Sequence, residues 1–287
     1  MEQILEFLVI GVFSGATYAL LAVGFVLIYR GTRIFNLAHG EMGAVGLFVA
    51  WALLDEMPVL AAALVGVGVA AATGFTIERG LVRRLADRTP LAALAATLGV
   101  ALSLAYLEVL IWGINIKTFP APFGTGSFHI GSVTVTSSRL AGLVIAGIVA
   151  AALALLLKRT RFGLEVSAAT SDRGLARLSG IRVARTRAFV WTLGGSLAGV
   201  AAILIASVET FHPLSVTLVM VRALTAALLG GLMSLSGAFV GGIAVGVLES
   251  LVVSQTTLPG AADAAILALL LIALMIRPQG VLGASPA

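Results

Sequence analysis

The sequence predicts an all-α polytopic membrane protein with eight or nine membrane segments, and three observations carry that prediction. Of the 287 residues, 60% are hydrophobic and only 11% are charged, giving a mean hydropathy of +1.11. Several apolar runs approach the roughly 20 residues that a helix needs to cross a bilayer. The charges collect between those runs, where they report topology. A soluble domain of this size would carry far more polar surface. The chain contains no Cys, which excludes a disulfide framework, thiolate chemistry and cysteine-ligated metal. A net charge of +5 between membrane spans calls for no nucleic-acid partner.

The first apolar segment, Ile4 to Tyr29, carries Glu2 and Glu6 where a cleavable signal would be basic, and is too long for a signal core. It is expected to persist as a spanning helix. Further segments run from Ile34 to Leu54, Val59 to Ile77, Leu91 to Trp112 (opened by Pro90) and Leu140 to Leu157. A polar connection from Gly113 to Ser138 precedes the last of these. Ala188 to Val208, Leu214 to Leu232, Phe239 to Val253 and Ala262 to Ile276 complete the set. The Leu214 segment contains Arg222 and reads as broken or re-entrant, because irregular backbone is tolerated in a membrane only inside protein or beside a cavity. The early region Phe35 to Trp51 and the late region Leu229 to Leu248 share a small-residue pattern compatible with two related halves.

Arg30, Arg33, the Arg residues between Arg79 and Arg88, the Lys and Arg residues between Lys158 and Arg187, and Arg277 account for most of the 18 basic residues. Placing them in the cytoplasm leaves Lys117 and Arg139 outside and Arg222 unassigned. The N-terminus is then outside and the C-terminus inside.

The long basic stretch from Lys158 to Arg187 is more than a topology signal. Leu164, Ala168, Leu175, Ala176 and Leu178 fall among polar residues at spacings that allow short amphipathic helices, with Gly163, Gly174 and Gly180 as places to turn or end them. Small residues such as Ala168 and Ala169 would let such a helix lie in a cleft of a soluble partner.

Asn36, His39 and Glu41 stand near the start of an apolar segment, where helical spacing would bring Asn36 and Gly40 together. Polar groups there need protein partners, as helix locks, gates or pathway lining. His39 has no HxxxH companion, so no metal site is expected. Glu209 and His212, beside Pro213, read as a helix-end loop or an external contact. Arg222, if inserted, is expected to pair with Glu249 or Glu209. The Gly-rich tract from Leu228 to Gly246 lacks GxxxxGK[ST], so this chain should not bind or hydrolyse ATP. Gly241 and Gly242 are expected to be tight helix-packing positions. No catalytic constellation is apparent.

Three motifs resemble one family. RTRFGLEVSAATSDRGLARLSGI looks like the cytoplasmic coupling segment of the permease subunits of branched-chain amino acid ABC transporters. VGFVLIYRGTRIFNLAHGEMGAVGLFV, from Val23, resembles that family's early Asn-x-Ala-His-Gly-Glu/Gln segment. The stretch from Met220 to Glu249 resembles its late Gly-Gly-x-x-Ser/Thr-x-x-Gly-x-x-x-Gly-Gly segment. The resemblance implies one permease domain over 1–287 with a coupling segment at 158–187. It also implies a second related permease or a copy of this chain, two ATPase subunits that use ATP, and an extracytoplasmic solute-binding protein. Relatives of this kind carry branched-chain amino acids, urea or short amides. Arg161, Gly163, Ala168, Asp172 and Gly180 become the ATPase-coupling positions, with Ser167 where an Arg is common. On this reading Gly163→Trp and Asp172→Lys should spare folding and uncouple the partner ATPase. A secondary transporter or channel is the rival reading.

Overall fold

A computed structural model describes residues 2–85, 88–124, 126–130, 133–276 and 280. Arg277, counted above with the basic side, lies outside the described residues. The chain runs α1 (Glu2–Thr32), α2 (His39–Ala52), α3 (Val59–Ile77), a π-turn (Glu78–Val82) and α4 (Pro90–Trp112). Strands β1 (Ser127–Ile130) and β2 (Val133–Thr136) follow, then α5 (Ser137–Arg159), α6 (Arg161–Ser171) and α7 (Arg173–Leu178). The chain ends with α8 (Val183–Ala206), α9 (Ser215–Gly230), α10 (Leu235–Gln255) and α11 (Ala261–Ile276).

Among the described residues, six helices are long and apolar enough to cross a membrane: α1, α3 with its π-turn, α4, α5, α8 and α10. The eight or nine full-length segments expected from hydropathy are not what helix length supports. Helix α2 has 14 residues, and α9 and α11 have 16 each, short of the about 20 residues of a straight crossing. The second segment falls short because residues 33–38 are not helical. The all-α membrane body carries a short strand pair in a connection. Within the polar connection, Ser-Phe-His-Ile and Val-Thr-Val-Thr pair as an antiparallel hairpin with Ser127 opposite Thr136, as alternating β-branched and aromatic residues favour.

Helix starts follow local chemistry. Thr89 caps α4, accepting from the Ala92 N–H at 3.3 Å, with Pro90 in the first turn where its missing N–H costs nothing. Ser234 caps α10 through the Gly237 N–H at 3.0 Å.

Helix α1 is the axis of the molecule and packs on α10, α8, α5 and α9. Its seam with α10 is built from small residues at four-residue spacing. Gly11, Gly15 and Ala19 face Gly242, Gly246 and Ser250, and a methyl group on Gly15 would lie 2.7 Å from the Ile243 Cα. Contacts this close leave room for backbone alone, which is how membrane helices gain packing without a hydrophobic drive between them.

The same seam recurs between α8 and α3. Gly195 and Gly199 face Ala70 and Gly66, while Gly74 abuts the Trp191 carbonyl. In both seams residue numbers rise along one helix as they fall along the other, so the partners are antiparallel. Helix α2 packs on α3 as α9 packs on α10, and α2 packs on α8 as α9 packs on α1. Helices α1 to α3 therefore correspond to α8 to α10 in opposite orientation. The expected relation between related regions is corrected accordingly: the early region around α2 matches α9, whereas Leu229 to Leu248 lies mostly in α10, the counterpart of α3. Glycine-rich composition concealed this because both members of each seam are rich in small residues.

Candidate functional site

The two helices that follow the corresponding breaks, α2 and α9, meet near their starts, where Gly40 lies against Met220 and the Val216 carbonyl. After α1, residues 33–38 leave the helix through Arg33 in the left-handed region (φ 58°), and residues 207–214 enter α9 through Leu214 (φ 79°). A non-glycine residue adopts such a φ only where its surroundings impose it. Helices α2 and α9 start alike. The His39 N–H donates to the Asn36 carbonyl at 3.3 Å and the Ser215 N–H to the His212 carbonyl at 3.0 Å.

Thr97 of α4 satisfies the first break: its hydroxyl donates to the Phe35 carbonyl at 3.0 Å and accepts from the Leu37 N–H at 3.3 Å. Lys117 satisfies the second, exchanging two backbone bonds with Phe211 at 2.8 and 2.9 Å. Its ammonium donates to the Trp112 carbonyl at 2.9 Å and lies over the Trp51 ring. Backbone that departs from helix inside a membrane requires such partners.

Asn36 is part of this break, not of a helix. Its Oδ1 accepts from the Ala38 N–H at 3.1 Å and its amide nitrogen lies 3.3 Å from Met42 Sδ. The expected helical approach of Asn36 to Gly40 is thus absent, because α2 begins only at His39. His39 is fully buried against Phe25 and Gly24. Glu41, also buried, accepts from the Thr217 hydroxyl across the α2–α9 contact, and the two residues are 176 positions apart. Each is the third residue of its helix, so they occupy corresponding places in the two halves.

Glu108 is, with Arg222 and Glu249, one of the few ionisable residues that the sequence places inside the spans. Its carboxylate is fully buried in α4, and neither oxygen has a protein hydrogen-bond partner among the described residues.

A second constellation surrounds Arg222 on α9. Its Nη1 lies 2.9 Å from Glu249 Oε1, and its Nη2 lies 3.0 Å from Asp263 Oδ1. It also donates to the Tyr18 hydroxyl at 3.2 Å. The structure brings Arg222 and Glu249 together. Asp263 and Tyr18 were not singled out from sequence, since only the fold places α1, α9, α10 and α11 side by side. Gly241 and Gly242 stand back to back on α10, Gly241 against the Ala226 carbonyl of α9 and Gly242 against Ala19 of α1.

The basic stretch forms two short helices at the end of the bundle that carries Thr32 and Val183. Asp172 caps α7, accepting from the N–H groups of Gly174 at 2.7 Å and Leu175 at 2.9 Å. Gly180 has φ 81° and terminates the turn in a conformation that glycine adopts freely. Gly163 and Gly174 do not end helices; both lie in first turns.

Gly163 is buried, with its missing side chain aimed at the Leu157 backbone of α5. Ala168 is half-buried and packs with Ala169, Ala176 and Val183. Arg161, Asp172 and Gly180 are exposed, and so are Leu164, Leu175 and Leu178, the last at 86%. The expected placement of Gly163 and Ala168 on a docking face is therefore corrected: they fasten the helices to the bundle, and the exposed leucines form the free apolar face. Gly163→Trp should collapse folded yield instead of sparing it; a normal monodisperse gel-filtration peak would contradict this.

Polar contacts tie these helices to the central pair. Arg173 of α7 donates to the Thr32 carbonyl at the end of α1 at 3.1 Å. The Thr186 hydroxyl of α8 donates to Glu165 of α6 at 3.3 Å. Glu78, fully buried in the π-turn, pairs with Arg187 of α8 at 3.7 Å and with Arg83 at 3.3 Å. A displacement of α6 and α7 would therefore reach α1 and α8 directly.

Comparison with known proteins gives these observations a family. Residues 7–275 match the model of the branched-chain amino acid transport system permease component. The chain is 29% identical over 300 residues to the high-affinity branched-chain amino acid transport system permease protein LivH of Salmonella typhimurium, covering 98% of this chain and 97% of that protein. Its identity to the corresponding permease BraD of Pseudomonas aeruginosa is 30% over 294 residues, covering 97% and 95%. A probable LivH of Methanocaldococcus jannaschii is 33% identical over 249 residues, covering 81% and 76%. With this match over nearly its whole length, the chain belongs to the permease-component family of branched-chain amino acid transport systems.

Proposed function

We propose that this protein is the membrane-spanning permease subunit of an ATP-driven importer of branched-chain amino acids. It supplies the pathway and the lever, while two separate ATPase subunits bind and hydrolyse ATP. A second permease, related or identical, completes the pathway, and an extracytoplasmic binding protein delivers the solute. The observation that carries the reading is the α6–α7 pair, which presents exposed Leu164, Leu175 and Leu178 while held to α1 and α8 through Arg173 and Glu165.

In this reading the basic end faces the cytoplasm of a plasma-membrane protein, with the N-terminus outside and the C-terminus inside. Each short helix then completes a crossing together with the break before it, giving nine. Helix α2 starts part-way through the bilayer from the cytoplasmic side and α9 from the outer side. Broken helices of this kind, meeting where inverted halves face one another, are a recurrent way to build a transport site. ATP-driven closure of the ATPases would carry α6 and α7 with it. Nucleotide and solute would then bias different states of one body, as coupling requires.

Leu178→Asp tests the reading. The side chain is exposed, so folded yield should remain within about twofold of wild type, since surface substitutions rarely matter to stability. Solute-stimulated ATPase activity of the purified complex should fall at least tenfold, a loss of about 1.4 kcal/mol or more in coupling. Full stimulation in the variant would overturn the docking assignment. Failure of any ATPase to co-purify with the wild-type chain from native membranes would overturn the importer itself.

A further inference from the structure

A crevice of about 170 Å³ opens at the second break, between the end of α8 and the start of α9. One face of α9, made by Ser215, Leu218, Val219 and Arg222 at helical spacing, forms one wall. Leu47 of α2 and Ile205 and Ala206 of α8 form the opposite, apolar wall. Glu209 stands at the rim with its side chain exposed. It also borders the neighbouring crevice of Tyr18 and Arg139.

Charge decides what this crevice can take. Arg222 is already held by Glu249 and Asp263 at 2.9 and 3.0 Å. Glu209 lines the same crevice without an ion pair to Arg222, and Arg139 borders the neighbouring one, so the local charges are three carboxylates against two guanidiniums. An anion would meet an excess of like charge, whereas a cationic head group would relieve it. The apolar wall excludes a bare hydrated ion as the best fit and favours a short aliphatic tail, because small-molecule sites pair an apolar lining with a few fixed polar groups.

The corresponding crevice at the first break is lined by Tyr29, Arg33, Phe35, Pro90, Leu91 and Leu94. Among the described residues its lining carries a guanidinium and no carboxylate, in contrast to the crevice at the second break.

From this arrangement we infer that the crevice at Glu209 is an outward solute subsite for an aliphatic primary ammonium compound. Glu209 engages the ammonium, and the Leu47, Ile205 and Ala206 wall receives the aliphatic side chain. The inference rests on the import reading and deepens it, since an α-ammonium can pair with Glu209 while its own carboxylate points out of the crevice, whereas a neutral urea or amide offers Glu209 no cation.

The absence of Cys supplies the experiment. A single Cys is introduced as Ser215→Cys, with Leu110→Cys on the exposed face of α4 as control, and the permease complex with its co-purified partners is placed in lipid nanodiscs. Maleimide labelling is timed with leucine, with isopentylamine (ammonium but no carboxylate) and with 4-methylpentanoate (carboxylate but no ammonium). Leucine and isopentylamine should slow labelling of Ser215→Cys at least fivefold, and 4-methylpentanoate should not. Adding Glu209→Gln should remove the protection, Glu209→Asp should keep it, and the control should not respond.

Equal protection by 4-methylpentanoate, or none by leucine in a complex that still imports leucine in proteoliposomes, would overturn the subsite and leave the importer standing. Protection by amines in a complex that imports no branched-chain amino acid would keep the subsite and overturn the importer. Loss of both would overturn both.

Discussion

Replacing Gly242 by leucine is expected to abolish recovery of the folded protein. Gly242 lies against the backbone of Ala19, and its neighbour Gly246 lies against Gly15 and Gly11, so a side chain at 242 has nowhere to go except into the main chain of α1. Overpacking a tight core costs about 1–3 kcal/mol when side chains can shift. Here the obstacle is backbone in the most extensive helix pair of the molecule, and the cost should exceed that range. Detergent-extracted, monodisperse protein should fall at least tenfold relative to wild type at matched expression. Gly241→Leu would strike the Ala226 carbonyl of α9 and should act in the same direction. Gly68→Leu is the control, because Gly68 has open space where its side chain would stand; its yield should stay near wild type. Normal yield from Gly242→Leu would refute the seam.

Reversing the charge at Arg222 is expected to be almost as damaging. The guanidinium joins Glu249 of α10, Asp263 of α11 and Tyr18 of α1. Arg222→Glu would place three carboxylates together in a partly buried setting, where breaking an ion pair costs about 3–5 kcal/mol when fully buried and less with the exposure found here. Transport should fall more than tenfold. The swap Arg222→Glu with Glu249→Arg should recover part of it, because one pair re-forms. Full recovery is not expected, since the carboxylate introduced on α9 faces Asp263 without a donor. No recovery at all in an uptake assay at matched expression would show that the pair itself does not matter.

Much of the helical order was legible because apolar runs and charge boundaries are local properties. Arg30, Pro90 and Lys158 bracket helices within a few residues of where they occur. The breaks were not legible. Ile-Phe-Asn-Leu-Ala is as apolar as the helix after it, and hydropathy is blind to backbone direction. What makes the break tenable is a hydroxyl far along the chain, on Thr97. The same limit applies to Arg222: pairing with Glu249 followed from the scarcity of membrane acids, whereas Asp263 sits in a first turn that reads as a helix end.

Within the basic stretch, composition revealed short amphipathic helices without revealing which face was free. Glycine was read as punctuation there, a role that Gly180 has and Gly163 does not. The antiparallel relation of the halves was hidden by composition too, since Gly66 and Gly242 are equivalent only through the seams they form.

The matching seams bear on the energetics of switching. A body assembled from two oppositely directed copies of one packing scheme has a built-in degeneracy: whatever arrangement its first half adopts toward one side of the bilayer, its second half can adopt toward the other with comparable contacts. The gap between the two arrangements is then set by differences such as Arg33 against Glu209, not by loss of core. Moving a two-state population from 1:99 to 99:1 takes about 5.5 kcal/mol of differential binding, and near-degeneracy keeps the required bias within reach of ligands that favour one arrangement or the other.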